Sequence, residues 1–507
     1  MTAASDLHSS AALKSVPGQT TRSTRDKDDT MAPAERILTP DLCVIGAGSG
    51  GLSVAAAAAQ LGVQVVLIEK HRMGGDCLNY GCVPSKALIA AGRRAHAMRT
   101  ADAFGIANTM PAVDWARVND HIAGVIAAIA PNDSVERFTG MGVTVLQGAG
   151  KFIDHKTVQA GDVLIRARRF IIATGSSPSV PPIPGLKETP HFTNETLFDN
   201  RGPIGHLIVV GGGPIGMEMA QAHRRLGARV TVLEGLAALQ KDDPELTAVA
   251  LKHLRAEGID IQESIKILSV RGGPGAIEVE CERDGARHTV HGTHLLAATG
   301  RTPNVAGLGL EAAGIKYERR GITVGADLLT SNRRVFAIGD VTGGLQFTHV
   351  ANYHAGIVIR RALFRLPAKA STDHVPWVTF TEPEIANVGL SEAEARRRGI
   401  KVVIYRWPFH ENDRAQAERE TEGLVKVVCD PKGRILGAGI VGSHAGELIQ
   451  MWSLAVSQKM KISAMTQWIS PYPTLSEVNK RVAFRSMASK AQSPLVRKIL
   501  AFFRKFG

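Results

Sequence analysis

One pattern occurs twice along this chain. Residues 42–69 read LCVIGAGSGGLSVAAAAAQLGVQVVLIE, and residues 207–234 read LIVVGGGPIGMEMAQAHRRLGARVTVLE, at a constant offset of 165. Gly46, Gly48, Gly51 and Glu69 align with Gly211, Gly213, Gly216 and Glu234. Each copy reads as an apolar strand, a GxGxxG turn, a helix and a second strand ending in an acid. The first glycine permits the tight turn, the second lets backbone approach a pyrophosphate, and the third lets helix pack on strand. The helix N-terminus offers N–H groups and partial positive charge to the phosphates. The terminal acid accepts from a ribose hydroxyl. A lone GxGxxG is a weak signal, but two copies with strand, helix and acid in place are strong. They predict two dinucleotide sites, one for FAD and one for a nicotinamide nucleotide. At the second, the Glu234 carboxylate suits a 2′-hydroxyl and repels a 2′-phosphate, which favours NADH. Arg229, nearby in sequence, keeps NADPH as the second choice.

Composition agrees with such a chain and excludes other classes. A length of 507 residues suggests about three domains. Fifty-two glycines with only 5% aromatics suit an α/β protein rich in nucleotide-binding turns. No run reaches the roughly 18 apolar residues of a membrane span; Leu52 to Val63 is shorter and reads as a buried helix. Residues 1–40 are polar without an apolar core, so a disordered tail is expected rather than a secretory signal. Asp6, Asp26, Asp28 and Asp29 argue against a transit peptide, and Met31 is an alternative start. Five cysteines are too few for a disulfide framework, which points to a reducing, cytoplasmic setting. Cys43, Cys281 and Cys429 are scattered and read as buried small residues. The net charge of +13 is uneven, because Lys480, Arg481, Arg485, Lys490, Arg497, Lys498, Arg504 and Lys505 lie in the last 28 residues without an acid among them. The remainder is mildly basic, and no nucleic-acid groove is indicated.

The segment GGDCLNYGCVPSK, Gly74 to Lys86, holds the only local cysteine pair, Cys77 and Cys82. Three readings compete. Zinc needs two further ligands, and none is near, so no metal site is expected. A structural bridge belongs to an oxidising compartment. A catalytic dithiol has a mechanism. Pro84 fits the first turn of a helix, which puts Cys82 at the helix N-terminus, where the dipole stabilises a thiolate. Cysteines that bridge have Cα atoms within about 7 Å, so the helix start must be distorted to bring i and i+5 together. Lys86, one turn after Cys82, shares its face.

The longer stretch GGDCLNYGCVPSKALI resembles the redox-active segment of the class I pyridine nucleotide–disulfide oxidoreductases. That family includes dihydrolipoamide dehydrogenase, glutathione reductase and mercuric reductase. The resemblance spans residues 41–485, with further segments in order. IIATGSSPSVPPIPG (171–185), with Thr174 and Gly175, is similar to the passage from the FAD to the NAD domain; ATGRTPN (298–304), with Gly300, is similar to the return. VFAIGDVTGG (335–344) resembles the second FAD motif, whose acid, here Asp340, holds the ribitol. GAGKF (148–152) resembles the strand whose backbone meets adenine, near Gly150. VPWVTFTEPEIANVGLSEAEA (375–395) resembles the opening of the dimerisation domain.

The resemblance implies an α/β fold with two Rossmann-like dinucleotide-binding domains, FAD and NAD, plus a C-terminal α+β dimerisation domain. The expected boundaries are 41–185 with 301–372 for FAD, 186–300 for NAD(P), 373–487 for the homodimer interface and 488–507 for a basic amphipathic helix. It also implies that Cys82 is the thiolate against the flavin and Cys77 the interchange thiol facing the acceptor. Lys86 would lie near flavin N5 and pair with Glu218, because either charge alone is costly to bury. His349 would approach the flavin pyrimidine through its backbone; a plain core histidine is the equal alternative.

The resemblance breaks in the last domain. Disulfide reductases of this family carry a His-Pro-Thr…Glu segment, in which the histidine is the acid–base for exchange, oriented by the glutamate across the dimer. Here the segment is SPYPTLSE, with Tyr472 in place of the histidine and Glu477 retained. Tyrosine ionises near 10 against about 6.5 for histidine, so it is a poor base at neutral pH. Mercuric reductases carry a tyrosine there, and their soft metal substrate is held by thiolates. This favours a mercuric-reductase-like enzyme passing electrons from NADH through FAD and Cys77–Cys82 to a metal ion or other small acceptor. The C-terminal cysteine pair and N-terminal CxxC of those enzymes have no counterpart, since no cysteine follows Cys429 or precedes Cys43. The alternatives are a dihydrolipoamide dehydrogenase or other disulfide reductase, and a non-enzymatic, membrane-associated redox sensor. The tail PLVRKILAFFRKFG (494–507) sets Leu495, Ile499, Phe502 and Phe506 against Arg497, Lys498, Arg504 and Lys505. It fits packing on its own dimer slightly better than peripheral contact with an anionic membrane.

Overall fold

The computed structural model describes residues 36–491 and 494–506. Most of the expected disordered tail lies outside them. Order begins before residue 41, because Arg36–Leu38 pairs in parallel with Val163–Ile165.

The first half of the repeat builds β1 (Leu42–Ile45), α1 (Ser49–Gln60) and β2 (Val65–Glu69). Both strands are continuous apolar runs, as strands covered on two faces must be. They sit inside a parallel sheet ordered Val335–Ala337, Arg169–Ile172, β1, β2, Thr144–Gln147. Val335–Ala337 returns to this sheet from far along the chain, so the unit is discontinuous. Alanines make α1 a strong helix former and keep it thin enough to lie close on the sheet, with Ala55 and Ala58 fully buried. Two further helices follow, α2 (Gly75–Asn79) and α3 (Cys82–Arg99).

The second half repeats the geometry in β3 (His206–Val210), α4 (Pro214–Arg225) and β4 (Arg229–Leu233). Even the register is shared: Leu42 lies opposite Val65, and Leu207 opposite Val230, the same pair shifted by the repeat. Asp260–Gln262 and His294–Ala297 extend this sheet in parallel. A three-stranded antiparallel sheet, Lys266–Gly273, Ala276–Arg283 and Ala286–Gly292, is inserted here and was not foreseen. The two chain crossings between the nucleotide units run side by side as antiparallel strands, Ser176–Pro178 against Arg301–Pro303.

Helix α5 (Thr348–Ala362) packs on the first unit and leads to an antiparallel sheet of five strands. Its order is Pro376–Thr379, Glu384–Gly389, Ile435–Gly442, Leu424–Cys429, Val403–Pro408. Trp452 is fully buried beneath it and donates Nε1–H to Asn479 Oδ1 at 2.7 Å on α6 (Glu477–Ala491). Near the end of the chain, α7 (Pro494–Phe503) lies within the segment 488–507 expected to be a basic amphipathic helix. Cys43, Cys281 and Cys429 are buried, as expected. Among the described residues no helix is long and apolar enough to cross a membrane.

Candidate active site

The two glycine turns are built alike. Gly46 and Gly211 have φ of +102° and +111°, and a Cβ on either would lie 2.5 Å from a carbonyl oxygen, of Ala173 or Ala298. A Cβ on Gly51 or Gly216 would lie 1.9 or 2.0 Å from the oxygen of that first glycine. These four are fixed by the fold. Gly48 and Gly213 are different: a Cβ would meet nothing nearer than 4.0 Å at Gly48, and nothing within that distance at Gly213. Each caps its helix in an extended conformation, with ψ of −178° and 179°. Open space in front of a helix N-terminus is the cradle a pyrophosphate needs.

The terminal acids also match. Glu69 accepts from Ala47 N–H at 2.7 Å and His71 N–H at 2.8 Å; Glu234 accepts from Gly212 N–H at 2.6 Å and Leu236 N–H at 2.8 Å. Each oxygen uses one lone pair on backbone and keeps another for a ribose hydroxyl. The donor set therefore fits both dinucleotides. Arg229 begins β4 opposite His206, whereas Glu234 follows its other end. The separation is on the order of 16 Å at about 3.3 Å per residue, so Arg229 is not at the ribose. No lysine or arginine occurs between Glu234 and Lys241. Arg229 therefore does not decide between NADH and NADPH.

The cysteine segment is broken where a bridge requires it. Cys77 lies within α2, Tyr80 closes that helix, and Gly81 turns the chain so that α3 starts at Cys82, with Pro84 in its first turn. Gly81 has no room for a side chain, since a Cβ would lie 2.7 Å from Asp76 Oδ2. Both cysteines are free thiols, and each shifts the ionisation of the other. Cys77 holds the Cys82 thiol down to about 6, helped by Thr348 and Lys86. Cys82 pushes the Cys77 thiol up, and burial adds to it. Cys82 Sγ lies 3.4 Å from Thr348 Oγ1, at the start of α5.

Lys86 and Glu218 meet, with Nζ 2.8 Å from Oε2, while Phe380 N–H donates to Oε1 at 3.0 Å. The Lys86 ammonium also stands 4.3 Å from the centre of the Phe380 ring. Asp340 accepts from Ser176 Oγ at 2.6 Å, and burial raises its carboxyl. Thr174 donates to Asn304 O at 2.9 Å, and Asn304 N–H donates to Gly175 O at 3.0 Å, which ties the two crossings together. Gly175 and Gly300 both have positive φ and face open space. Gly150 is buried against Ile45 and Ile68, each 3.2 Å from where its Cβ would be. His349 is exposed rather than a core residue: its Nε2 bonds to Pro376 O at 2.8 Å, and its ring stacks on Phe347.

Tyr472 and Glu477 are not joined to this centre within the chain. The Tyr472 side chain is 69% exposed and donates to Asp413 Oδ2 at 2.9 Å, which raises its phenol further above ordinary tyrosine. Glu477 does not orient Tyr472; it pairs with Arg481 at 2.8 Å, one turn along α6. Among the described residues no group of three His, Cys, Asp or Glu side chains is arranged to hold a metal ion.

Four residues escaped the sequence reading. Asp76 bridges Arg301 at 3.0 Å and accepts from Asn194 at 3.1 Å; Arg301 donates in turn to Ser176 Oγ at 2.7 Å. A chain of polar contacts thus runs from the residue beside Cys77 through Arg301 and Ser176 to Asp340. Thr348 is the fourth. The signal for Asp76 was a charge directly beside a reactive cysteine, and Arg301 directly follows Gly300 in a segment already singled out.

Comparison with known proteins follows this geometry. The chain matches the family pyridine nucleotide-disulphide oxidoreductase over residues 40–355, and that family's dimerisation domain over residues 375–483. A mercuric reductase of Bacillus cereus is 35% identical over 440 residues, 86% of this chain and 70% of that protein. A dihydrolipoyl dehydrogenase of Geobacillus stearothermophilus is 34% identical over 462 residues, 89% of this chain and 97% of that protein. The solved Cu(II) complex of the HOCl-induced flavoprotein disulfide reductase RclA from Escherichia coli superposes with a TM-score of 0.78 at 28% identity, over 88% of this chain and 99% of that one.

Proposed function

This chain belongs to the pyridine nucleotide-disulphide oxidoreductase family, and within it we propose an NADH-dependent reductase of soft metal ions, of the mercuric-reductase kind, working through Cys77 and Cys82. As an enzyme of that family it depends on FAD and takes electrons from NAD(P)H, and its dimerisation domain supports a homodimer. Glu234, followed by no lysine or arginine before Lys241, favours NADH over NADPH. When bound, FAD relays the two electrons of a nicotinamide hydride to the cysteine pair.

The chain's own residues do the rest. Gly48 and Gly213 leave room for the two pyrophosphates, and Glu69 and Glu234 take the riboses. Asp340 is the acid for the ribitol, Gly150 offers backbone to the adenine and His349 to the flavin pyrimidine, and Thr174, Gly175 and Gly300 shape the crossings between the FAD and NAD units. Lys86, held by Glu218, stabilises anionic charge on Cys82, and Cys77 keeps the proton of the reduced pair. Cys77 is the outward thiol that meets the acceptor.

Tyr472 carries the choice of acceptor. Reducing a disulfide consumes a proton: NADH + H⁺ + RSSR gives NAD⁺ + 2 RSH. Reducing a divalent soft metal releases one: NADH + Hg²⁺ gives NAD⁺ + H⁺ + Hg⁰. A phenol bonded to Asp413, with its ionisation pushed up, is a poor shuttle for the first reaction and is not needed as one in the second. The likeness to a structure described as a Cu(II) complex adds weight to a soft-metal reading. A dihydrolipoamide dehydrogenase is the second reading, supported by relatives of equal identity. We place the enzyme in the cytoplasm, where thiols stay reduced.

The test compares NADH oxidation with Hg(II), Cu(II), glutathione disulfide and lipoamide, in the native enzyme and in Tyr472→His. Metal turnover should dominate in the native enzyme. Tyr472→His should raise disulfide turnover at least about tenfold, part of the 10²–10⁴ that acid–base catalysis supplies. Fast native disulfide turnover, unchanged by Tyr472→Phe, would overturn the reading.

A further inference from the structure

The matched dimerisation domain ends at residue 483, and the chain continues into α7. Hydrogen bonds from Arg504 to Leu500 and from Phe506 to Phe503 carry the turn on to Phe506. At 100° per residue, Leu495, Ile499, Leu500, Phe502 and Phe503 fall within one arc of about 160°, while Arg497, Lys498, Arg504 and Lys505 fall on the other side. No residue of α7 is buried, and the apolar arc is open: Leu495 is 67% exposed, Phe503 61% and Phe506 73%. No acid follows Glu477.

We propose that α7 docks the enzyme on an anionic lipid bilayer. An apolar arc rich in phenylalanine, flanked by arginine and lysine, matches a helix lying in the plane of the headgroups. The basic side chains extend past the apolar surface to reach lipid phosphates, and an anionic leaflet attracts each of them. A subunit surface is the poorer occupant. Each chain carries a net charge of +13, which includes Arg497, Lys498, Arg504 and Lys505, so a second positively charged subunit surface repels this segment. This inference does not depend on the acceptor, and it is tested by binding rather than turnover.

The test sediments the full-length, flavin-loaded dimer with vesicles of phosphatidylcholine, alone or with about a third phosphatidylglycerol. Binding is expected to the anionic vesicles only and should fall steeply as salt rises towards 1 M, where the screening length is about 3 Å. The double variant Phe502→Asp/Phe503→Asp should lose at least about tenfold in partitioning, with flavin content, dimer mass and NADH oxidation unchanged. Equal sedimentation of the variant, or equal binding to neutral vesicles, would overturn the proposal. So would dissociation of the variant to monomers, which would assign the apolar arc to the subunit interface.

Discussion

Cys82 owes its acidity to its neighbours: the Cys77 thiol that donates to it, then Thr348 and the Lys86 ammonium. Above pH about 6 the reduced pair carries its anion on Cys82, and below that pH the pair is neutral. Absorbance of the reduced apoprotein near 240 nm should therefore show one thiolate appearing near pH 6. Cys77→Ala should move that midpoint up, towards an ordinary thiol, because the strongest donor is gone; an unmoved midpoint would show that the helix terminus alone sets it. The Asp76–Arg301 bridge makes a second prediction. Arg301 is only 11% exposed and Asp76 35%. Arg301→Met should cost about 2–3 kcal/mol of stability, somewhat below the penalty for breaking a fully buried pair because Asp76 is partly wet. Denaturant unfolding checks this, and a loss under about 0.5 kcal/mol, the usual surface effect, would mean that the bridge is not structural. The cysteines, Lys86 and its partner were legible because spacing and charge balance announce them. Arg301 and Asp76 were not, because their meeting depends on how distant loops pack rather than on any local period.

At the scale of elements, the repeated βαβ unit was readable in its order of strand, turn, helix and strand, and the structure adds that the register repeats too. Its apolar strands, alanine-rich helix and glycine turn each demand the same local structure. The three-stranded antiparallel sheet over 266–292 was missed, since its strands carry exposed charges on alternate faces and follow no motif. The glycine roles can be separated by experiment. Gly46→Ala and Gly211→Ala should yield misfolded protein, because φ is positive and a carbonyl lies 2.5 Å from the new Cβ. Gly213→Val should leave a folded protein with normal flavin content and NADH binding weakened at least about tenfold, since only the pyrophosphate cradle is filled. Calorimetric NADH affinity and flavin absorbance read both effects. Normal NADH affinity in Gly213→Val would move the nicotinamide site elsewhere.

For the whole molecule, three modules place one redox centre. The first carries Cys77 in α2 and Cys82 at the start of α3, the second sends Glu218 from α4 to Lys86, and the third adds Phe380 N–H to the same carboxylate. Tyr472 is exposed on the third module and has no link to that chain's own cysteines. The expectation that it serves a partner's site came from the sequence pattern and requires the dimer. The start of the chain was less legible than its middle: a strand over Arg36–Leu38 precedes the expected start of the FAD unit at residue 41, in a segment where the family pattern runs out. The central claim is that NADH electrons come to rest on Cys77 and Cys82. The direct measurement is an anaerobic addition of one equivalent of NADH to the oxidised, flavin-loaded enzyme, followed by alkylation and mass-spectrometric counting of new thiols. The account predicts two new thiols, at Cys77 and Cys82, with the flavin absorbance largely retained. A bleached flavin with no new thiol would contradict it.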